Sequence, residues 1–391
     1  MVQTDDFSEK VASCTLNRIF GFNPGAGHRI IAEAGSASGV FDLDEEGIAR
    51  VMGPFSRFRG QICHAELERS ARELSRLESL GYRFIPYGDA AYPELLRDCP
   101  DAPIGIYLRS GSEPADIFGD RPAIAVVGTR DMSAYGREWC LRIVDALSRC
   151  RQKPVIVSGL ALGVDITAHM AALEAGLTTV AVLPTYITEV YPTQHRSAAA
   201  RIASTEGCGL ISDYPPGTSP QPVSFLRRNR IIAGLSRATI LIESKARGGG
   251  LITANLAFDY CREVYALPGR ADDLRSQGCN RLIRARVAES IDDLDSFIKS
   301  LGLGTFSRRN KKVLREEIVS VYGTRLEDPE LRLITEIAEL IKCNRGIATE
   351  ELCSRTGCSW AEASRITGLL ENDGFIERDM FQNCSIKFRF G

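Results

Sequence analysis

A chain of 391 residues, 44% apolar and 25% charged, is the size of two or three globular domains, one with room for a core of about 150–200 residues. Its formal charge of −2 carries no general basic bias, so any nucleic-acid surface has to be local. No apolar run reaches membrane-spanning length, and Met1–Lys10 carries Asp5, Asp6 and Glu9 in place of an apolar signal core, so the expectation is a cytoplasmic protein with no membrane contact.

Residues 1–82 read as a small helical domain, with helices at Asn17–Ile19, Gly27–Ala34, Glu45–Met52 and Gln61–Leu80. The glycine-rich stretch Gly21–Gly27, ahead of His28–Ala32, has the look of a helix-hairpin-helix turn, which offers backbone N–H groups to a phosphate. A Gly/Pro turn between two packed helices is its commoner meaning. Arg83–Leu108 is a strand-like, proline-containing connector. Strands then follow at Ala123–Val127, Val155–Val157, Thr179–Leu183, Gly209–Ile211, Thr239–Ile242 and Val264–Leu267. Helices lie between them at Gly136–Ser148, Asp165–Ala175, Ser197–Ser204, Phe225–Gly234 and Ile252–Tyr260. Continuous apolar strands alternating with helices specify an α/β doubly wound, mostly parallel sheet over residues 83–300.

Residues 301–328, with the basic run Ser307–Lys312, read as a linker. Residues 329–391 show helices at Leu331–Ile341, Thr349–Thr356 and Ser359–Asp373, then strand-like Phe375–Arg378 and Ser385–Phe390, which is the winged-helix order. The third helix opens on Trp360-Ala361-Glu362-Ala363, leaving only Arg365 to reach a phosphate from its first half. This domain therefore reads as a protein-contact or accessory module.

The twelve cysteines include no Cys-x-x-Cys pair, and Cys353 and Cys358 have no histidine nearby, since the chain holds only His28, His64, His169 and His195. Neither a metal nor disulfides are expected, and buried thiols in a reducing compartment fit better.

Ligands of doubly wound sheets bind beyond the carboxyl ends of the strands. There the first strand ends in Gly128-Thr129-Arg130, where Gly128 allows close backbone approach and Arg130 offers a fork suited to phosphate. The pattern is not a dinucleotide fingerprint, which argues against a redox cofactor, and no cofactor is expected. The second strand ends in Ser158-Gly159, ahead of Asp165 and His169. With no nucleophile at a matching spacing, Asp165 reads as a helix cap and His169 as a satisfied, partly buried histidine. Phe225-Leu226-Arg227-Arg228-Asn229-Arg230 joins a ring to three arginines, the combination that grips single strands without regard to sequence. Phe225 itself reads equally as a stacking platform or an apolar plug. On a helix Arg227 and Arg230 share a face and Arg228 points elsewhere, so at least one arginine is open to a structural role beside a carboxylate of the sheet edge. Last, Lys245 and Arg247 precede Gly248-Gly249-Gly250 at a helix start, an anion cradle without the Gly-Lys-Ser/Thr of a nucleotide-hydrolysing loop.

These motifs in this order resemble the DprA (Smf) family of DNA-processing proteins over roughly residues 80–290. The resemblance rests on Val127–Arg130 with Tyr135-Gly136, Ser158–Ala161 with Gly163 and Asp165, Tyr191-Pro192, Arg228–Leu235, Gly249–Ala254, Pro268-Gly269 and Gly278–Ile283. It implies a sterile-alpha-motif-like N-terminal module, an extended Rossmann-like domain and a winged-helix-like C-terminal domain. It also implies sequence-neutral binding of single-stranded DNA, homodimerisation, loading of the recombinase RecA during natural transformation, and no enzymatic activity. The apolar segment Val264–Leu267 with Leu282 and Ile283 is the expected dimer surface. The rival reading is a nucleotide-processing phosphoribohydrolase of the same Rossmann group. It lacks an acid after Gly248–Gly250 until Asp259.

Overall fold

The structure is a computed structural model that describes residues 2–218, 220–304, 314–344, 346–379 and 382–386. It falls into two compact units that divide between residues 306 and 307, each taken by itself below.

The first unit opens with α1 (Val2–Phe20), α2 (Pro24–Ala34), α3 (Glu45–Met52) and α4 (His64–Ser79). The first helix is far longer than the Asn17–Ile19 fragment expected. Its apolar stripe of Val11, Ala12, Leu16, Ile19 and Phe20 is interleaved with Ser13, Thr15 and Asn17, which are buried as well. Those polar residues disguise the helical period in the sequence. The Gly21–Gly27 stretch is a packed turn: Asn23 caps α2, Pro24 begins it, and a Cβ on Gly27 would lie 2.3 Å from Ile104 Cδ1.

Nine strands form one sheet: β1 (Arg83–Pro86), β2 (Gly105–Arg109), β3 (Ala123–Val127), β4 (Val155–Ser158), β5 (Thr179–Val182), β6 (Gly209–Ser212), β7 (Ala238–Leu241), β8 (Glu263–Ala266) and β9 (Glu289–Ser290). Their order is β1-β2-β6-β5-β4-β3-β7-β8-β9. All are parallel from β6 to β9, while β2 runs antiparallel to β6 and β1 to β2. The strand-like connector of the sequence is thus a pair of edge strands. It encloses the short α5 (Glu94–Arg97) and is followed by α6 (Pro114–Phe118).

Alternation within each strand distributes the apolar residues to two faces. Ile124 and Val126 of β3 pack with α7 (Ala134–Ser148), α8 (Val164–Glu174) and, further along the chain, α13 (Leu294–Ser300). On the same side α9 (Arg196–Ser204) joins α1 and α4 over Tyr107 and Leu210. Ala125 and Val127 meet α10 (Pro222–Leu235), α11 (Gly249–Asp259) and α12 (Gln277–Arg284) on the other. Helices on both faces of a mostly parallel sheet make this the expected doubly wound α/β fold. The expected dimer surface is part of the core: Val264 and Leu282 are buried on the face of α10, α11 and α12 with Ile283 packed against their cluster, and Leu267 is buried on the other.

The N-terminal helices are tied to the sheet by polar contacts as well as apolar ones. Tyr107 donates to Glu73 at 2.6 Å, Glu73 pairs with Arg18, and the Asn17 amide donates to the Asp213 carbonyl at 3.0 Å.

The second unit comprises α14 (Leu314–Tyr322), α15 (Asp328–Cys343), α16 (Thr349–Thr356), α17 (Trp360–Asn372) and an antiparallel pair, β10 (Ile376–Arg378) with β11 (Cys384–Ile386). Part of the expected linker is therefore helical. Leu314, Ile318 and Tyr322, spaced by four, bury one face of α14 among Ile334, Ile337 and Leu370. The run Ser307–Lys312 and the end of the last expected strand lie outside the described residues. Arg365, the one cation in the first half of α17 able to reach a phosphate, is paired with Glu330.

Candidate nucleic-acid interface

From β3 the chain steps through β4, β5 and β6 in one direction and then returns to β7 on the other side of β3. The loops beyond β3 and β7 diverge, which opens a crevice at the carboxyl edge of the sheet. Its floor depends on two glycines. A Cβ on Gly250 would lie 2.9 Å from the Cα of Gly128, and one on Gly128 would lie 2.6 Å from Val164 Cγ2. Helix α11 therefore begins directly against the end of β3. The cleft has a volume of about 710 Å³, in the range of small-ligand sites. Gly249 and Gly250, in the first turn of α11, line it. N–H groups in a first turn have no intrahelical acceptor and the dipole adds positive potential, so this end favours an anion.

Cations surround the mouth. Arg130 and Arg247 are exposed and have no carboxylate partner among the described residues. Lys245 stands 3.7 Å from Asp131, which also pairs with Arg275 at 3.1 Å. These pairs are solvent-exposed and contribute little. Arg275 first, and Lys245 after it, hold the Asp131 carboxyl below its usual range. Of the three exposed cations that line the opening, only Lys245 meets an exposed carboxylate among the described residues, and Asp131 shares that contact with Arg275.

Beside them lies an aromatic wall. The half-buried Phe225 ring meets Tyr191 edge-on at 5.2 Å, and the Arg130 guanidinium sits 5.0 Å from the Phe225 centroid. Tyr191 and Arg247 complete the site; the sequence offers the first only within the Tyr191-Pro192 motif of the resemblance and the second as a cation of the glycine cradle. Tyr191 is remote in the chain and gives no local signal. Arg247 was visible as the second cation before the glycines.

The arginines of α10 do not play the part expected of them. Arg227 and Arg230 each donate to Asp213 Oδ2 at 2.5 Å, and neither lines the cleft. Arg227 also stacks over Phe22 at 4.4 Å and Tyr214 at 4.9 Å, and Arg230 donates to the Asp101 carbonyl. Arg228 lines the cleft only as a buried side chain, 3% exposed, donating to the Val182 carbonyl at 2.8 Å. Burial lowers its pKa to about 10 against the opposing pull of Asp165, so it stays charged at neutral pH. The reason is the helix itself: from Arg228 to Leu235 every residue of α10 is buried. Charges there must find partners inside the protein.

The remaining predicted residues divide. Asn229 lines the cleft and donates to the Gly249 carbonyl at 3.3 Å, fixing the start of α11. Ser158 is buried and donates to the Val126 carbonyl at 2.7 Å, and Gly159 provides the space that Arg228 fills. Neither reaches the cleft. Asp165 is not the cap of its own helix. Its carboxylate accepts from the N–H groups of Gly159 (3.2 Å) and Ala161 (3.4 Å), clamping the turn that precedes α8. Burial pushes that carboxyl up while Arg228 pulls it down. His169 is fully buried with Nδ1 2.7 Å from Thr179 Oγ1, whose hydroxyl proton goes to the Ile156 carbonyl. The hydroxyl must therefore accept from Nδ1–H. Burial lowers the imidazole pKa to about 3, so the ring is neutral.

Among the described residues no three His, Cys, Asp or Glu side chains gather as a metal site, and no helix is long and apolar enough to cross a membrane. A family model described as DNA recombination-mediator protein A matches residues 83–302, more than half of the chain. The protein Smf of Synechocystis is 38% identical over 220 residues, which cover 56% of this chain and 54% of that protein. The chain thus aligns with about half of that relative's length. The DNA processing protein DprA of Streptococcus pneumoniae is 38% identical over 208 residues, 53% of this chain and 71% of that one. The solved structure of DprA from S. pneumoniae superposes with a TM-score of 0.60 at 28% identity, covering 75% of this chain and 97% of that one.

Proposed function

The chain belongs to the DNA recombination-mediator protein A family, and on that premise we propose that its switch-point cleft holds single-stranded DNA. The observation that carries the reading is the Arg130–Phe225–Tyr191 cluster beside the glycine-lined start of α11. A phosphate sits at the α11 N-terminus between Arg130, Lys245 and Arg247, and a base stacks on Phe225. Every base has a stackable face and every nucleotide a phosphate, so such a site binds without sequence preference. A duplex keeps its bases stacked inside and cannot offer one to the ring.

The proposal is one of binding without turnover. The carboxylates that line the cleft are Asp131, exposed and shared by two cations, and Asp165, buried beneath Arg228. Neither is placed as the general acid or base that nucleoside hydrolysis requires. The family resemblance extends the proposal to a homodimer that delivers the bound strand to RecA during transformation. With Val264–Leu267 committed to the core, the contact between copies has to use other residues.

Fluorescence anisotropy of a labelled oligothymidylate over a salt series, with a duplex of equal length as control, tests the reading. Single-strand preference is expected, and alanine at Arg130, Lys245 or Arg247 should each make the slope of log affinity against log salt shallower by about 0.7. Equal affinity for both forms, or slopes unchanged in all three variants, would place the site elsewhere.

A further inference from the structure

The cleft is the first of three adjoining depressions. Its walls Tyr191 and Pro220 are shared with a second cavity of about 550 Å³, and that cavity shares Thr188 and Glu189 with a third of about 650 Å³. The second is bordered by Arg109 and Arg196, the third by Arg69, Arg72 and Arg76 of α4. The α4 residues are spaced by three and four, so they stand on one helix face.

The charge along this path is one-sided. Arg76, Arg109 and Arg196 have no carboxylate partner among the described residues, and the Arg109 guanidinium lies 5.3 Å over the Tyr82 ring. Arg69 and Arg72 meet Glu66 and Glu68 only at 3.7 Å in exposed intrahelical pairs, which hold them weakly. Two carboxylates line the second and third cavities. Glu73 is buried and committed to Arg18 and Tyr107, which leaves Glu189 as the exposed acid.

We propose that a single strand seated in the cleft continues past Tyr191, over Arg109 and Arg196, and onto the Arg69–Arg72–Arg76 face of α4. The N-terminal helices are then a second phosphate-binding surface and not only a structural prefix. The idea rests on the cleft reading, because it takes the cleft as the starting point of the path. A mononucleotide fills the cleft alone, whereas a chain of adjoining basic depressions suits a polyanion without secondary structure.

Two probes separate the surfaces: an oligothymidylate of about six nucleotides, enough for the cleft, and one of about twenty, enough for the whole path. The triple variant Arg69→Gln, Arg72→Gln, Arg76→Gln should bind the long probe about tenfold more weakly. Its salt slope should be shallower by about 2, from three contacts of about 0.7 each. Its affinity for the short probe should equal that of the unmodified chain. Arg196→Gln, on a different element, should show a smaller effect of the same selectivity, and thermal midpoints of both variants identify any loss of fold. Long-probe affinity and slope unchanged in both variants, or short and long probes weakened alike, would overturn the path. If Arg130→Ala leaves the short probe bound as before, the cleft reading itself has failed, whatever the α4 variant does.

Discussion

A Cβ on Gly159 would stand 1.6 Å from Nη1 of Arg228, so the guanidinium occupies the space that any side chain at position 159 would need. Gly159→Ala should expel Arg228 from its bond to the Val182 carbonyl and lower stability by about 1–3 kcal/mol, the usual effect of overpacking. Urea unfolding reads it, and an unchanged midpoint would show that the guanidinium has somewhere else to go.

Asp213→Ala leaves the buried Arg230 and the partly buried Arg227 without their shared carboxylate. Removing one side of a buried ion pair costs about 3–5 kcal/mol. Single-strand affinity per folded molecule should hold, because neither arginine faces the cleft. Retained stability together with weakened binding would instead return these arginines to the DNA site.

Phe225→Ala should weaken single-strand binding about tenfold, from the loss of one stacking platform worth roughly 1–3 kcal/mol. The ring is half-buried against Tyr191 and Arg130. The stability loss should therefore stay well below the ~3–5 kcal/mol of a core phenylalanine. A sharp fall in the unfolding midpoint with binding preserved would make the ring a plug.

His169 predicts a pH dependence of stability. Its pKa is about 3 in the folded protein against 6.5 when unfolded, so between those values the unfolded chain binds the extra proton. Stability is full above pH 6.5 and falls as pH drops toward 3, by up to about 1.4 kcal/mol per pH unit. Asp165, raised by burial, works in the opposite sense near its own titration. The comparison is therefore with His169→Gln, whose stability should decline less over that window. Identical profiles would mean the imidazole is not the group responsible.

The parallel strands were legible because most are short, nearly continuous apolar runs closed by glycine, proline or a polar residue, and β3 begins and ends where the sequence places it. The cradle before α11 was legible for a similar reason: three glycines after two cations have few other meanings. The roles of Arg227, Arg228 and Arg230 were not. An arginine cluster reads the same whether it meets solvent or a buried carboxylate. Here the deciding partner is Asp213, just beyond β6, brought to α10 by the fold. The sequence left at least one arginine open to a structural role beside a sheet-edge carboxylate; in the fold both Arg227 and Arg230, three apart on one face, meet Asp213. Helix α14 was hidden by the charges of the preceding run, which outweigh an apolar stripe of only three residues.

Asn17 holds the carbonyl of the same Asp213 whose carboxylate holds α10, and Glu73 of α4 holds Tyr107 of β2. The helices before Arg83 are therefore thermodynamically linked to the element that presents Phe225. Any ligand that selects the folded arrangement of α10 also opposes detachment of α1, by mass action. Occupancy of the cleft would then register as slower amide exchange in α1, a segment that lines none of its walls. Trimming the chain back to the sheet would leave not a smaller reader of DNA but one with an unpinned α10.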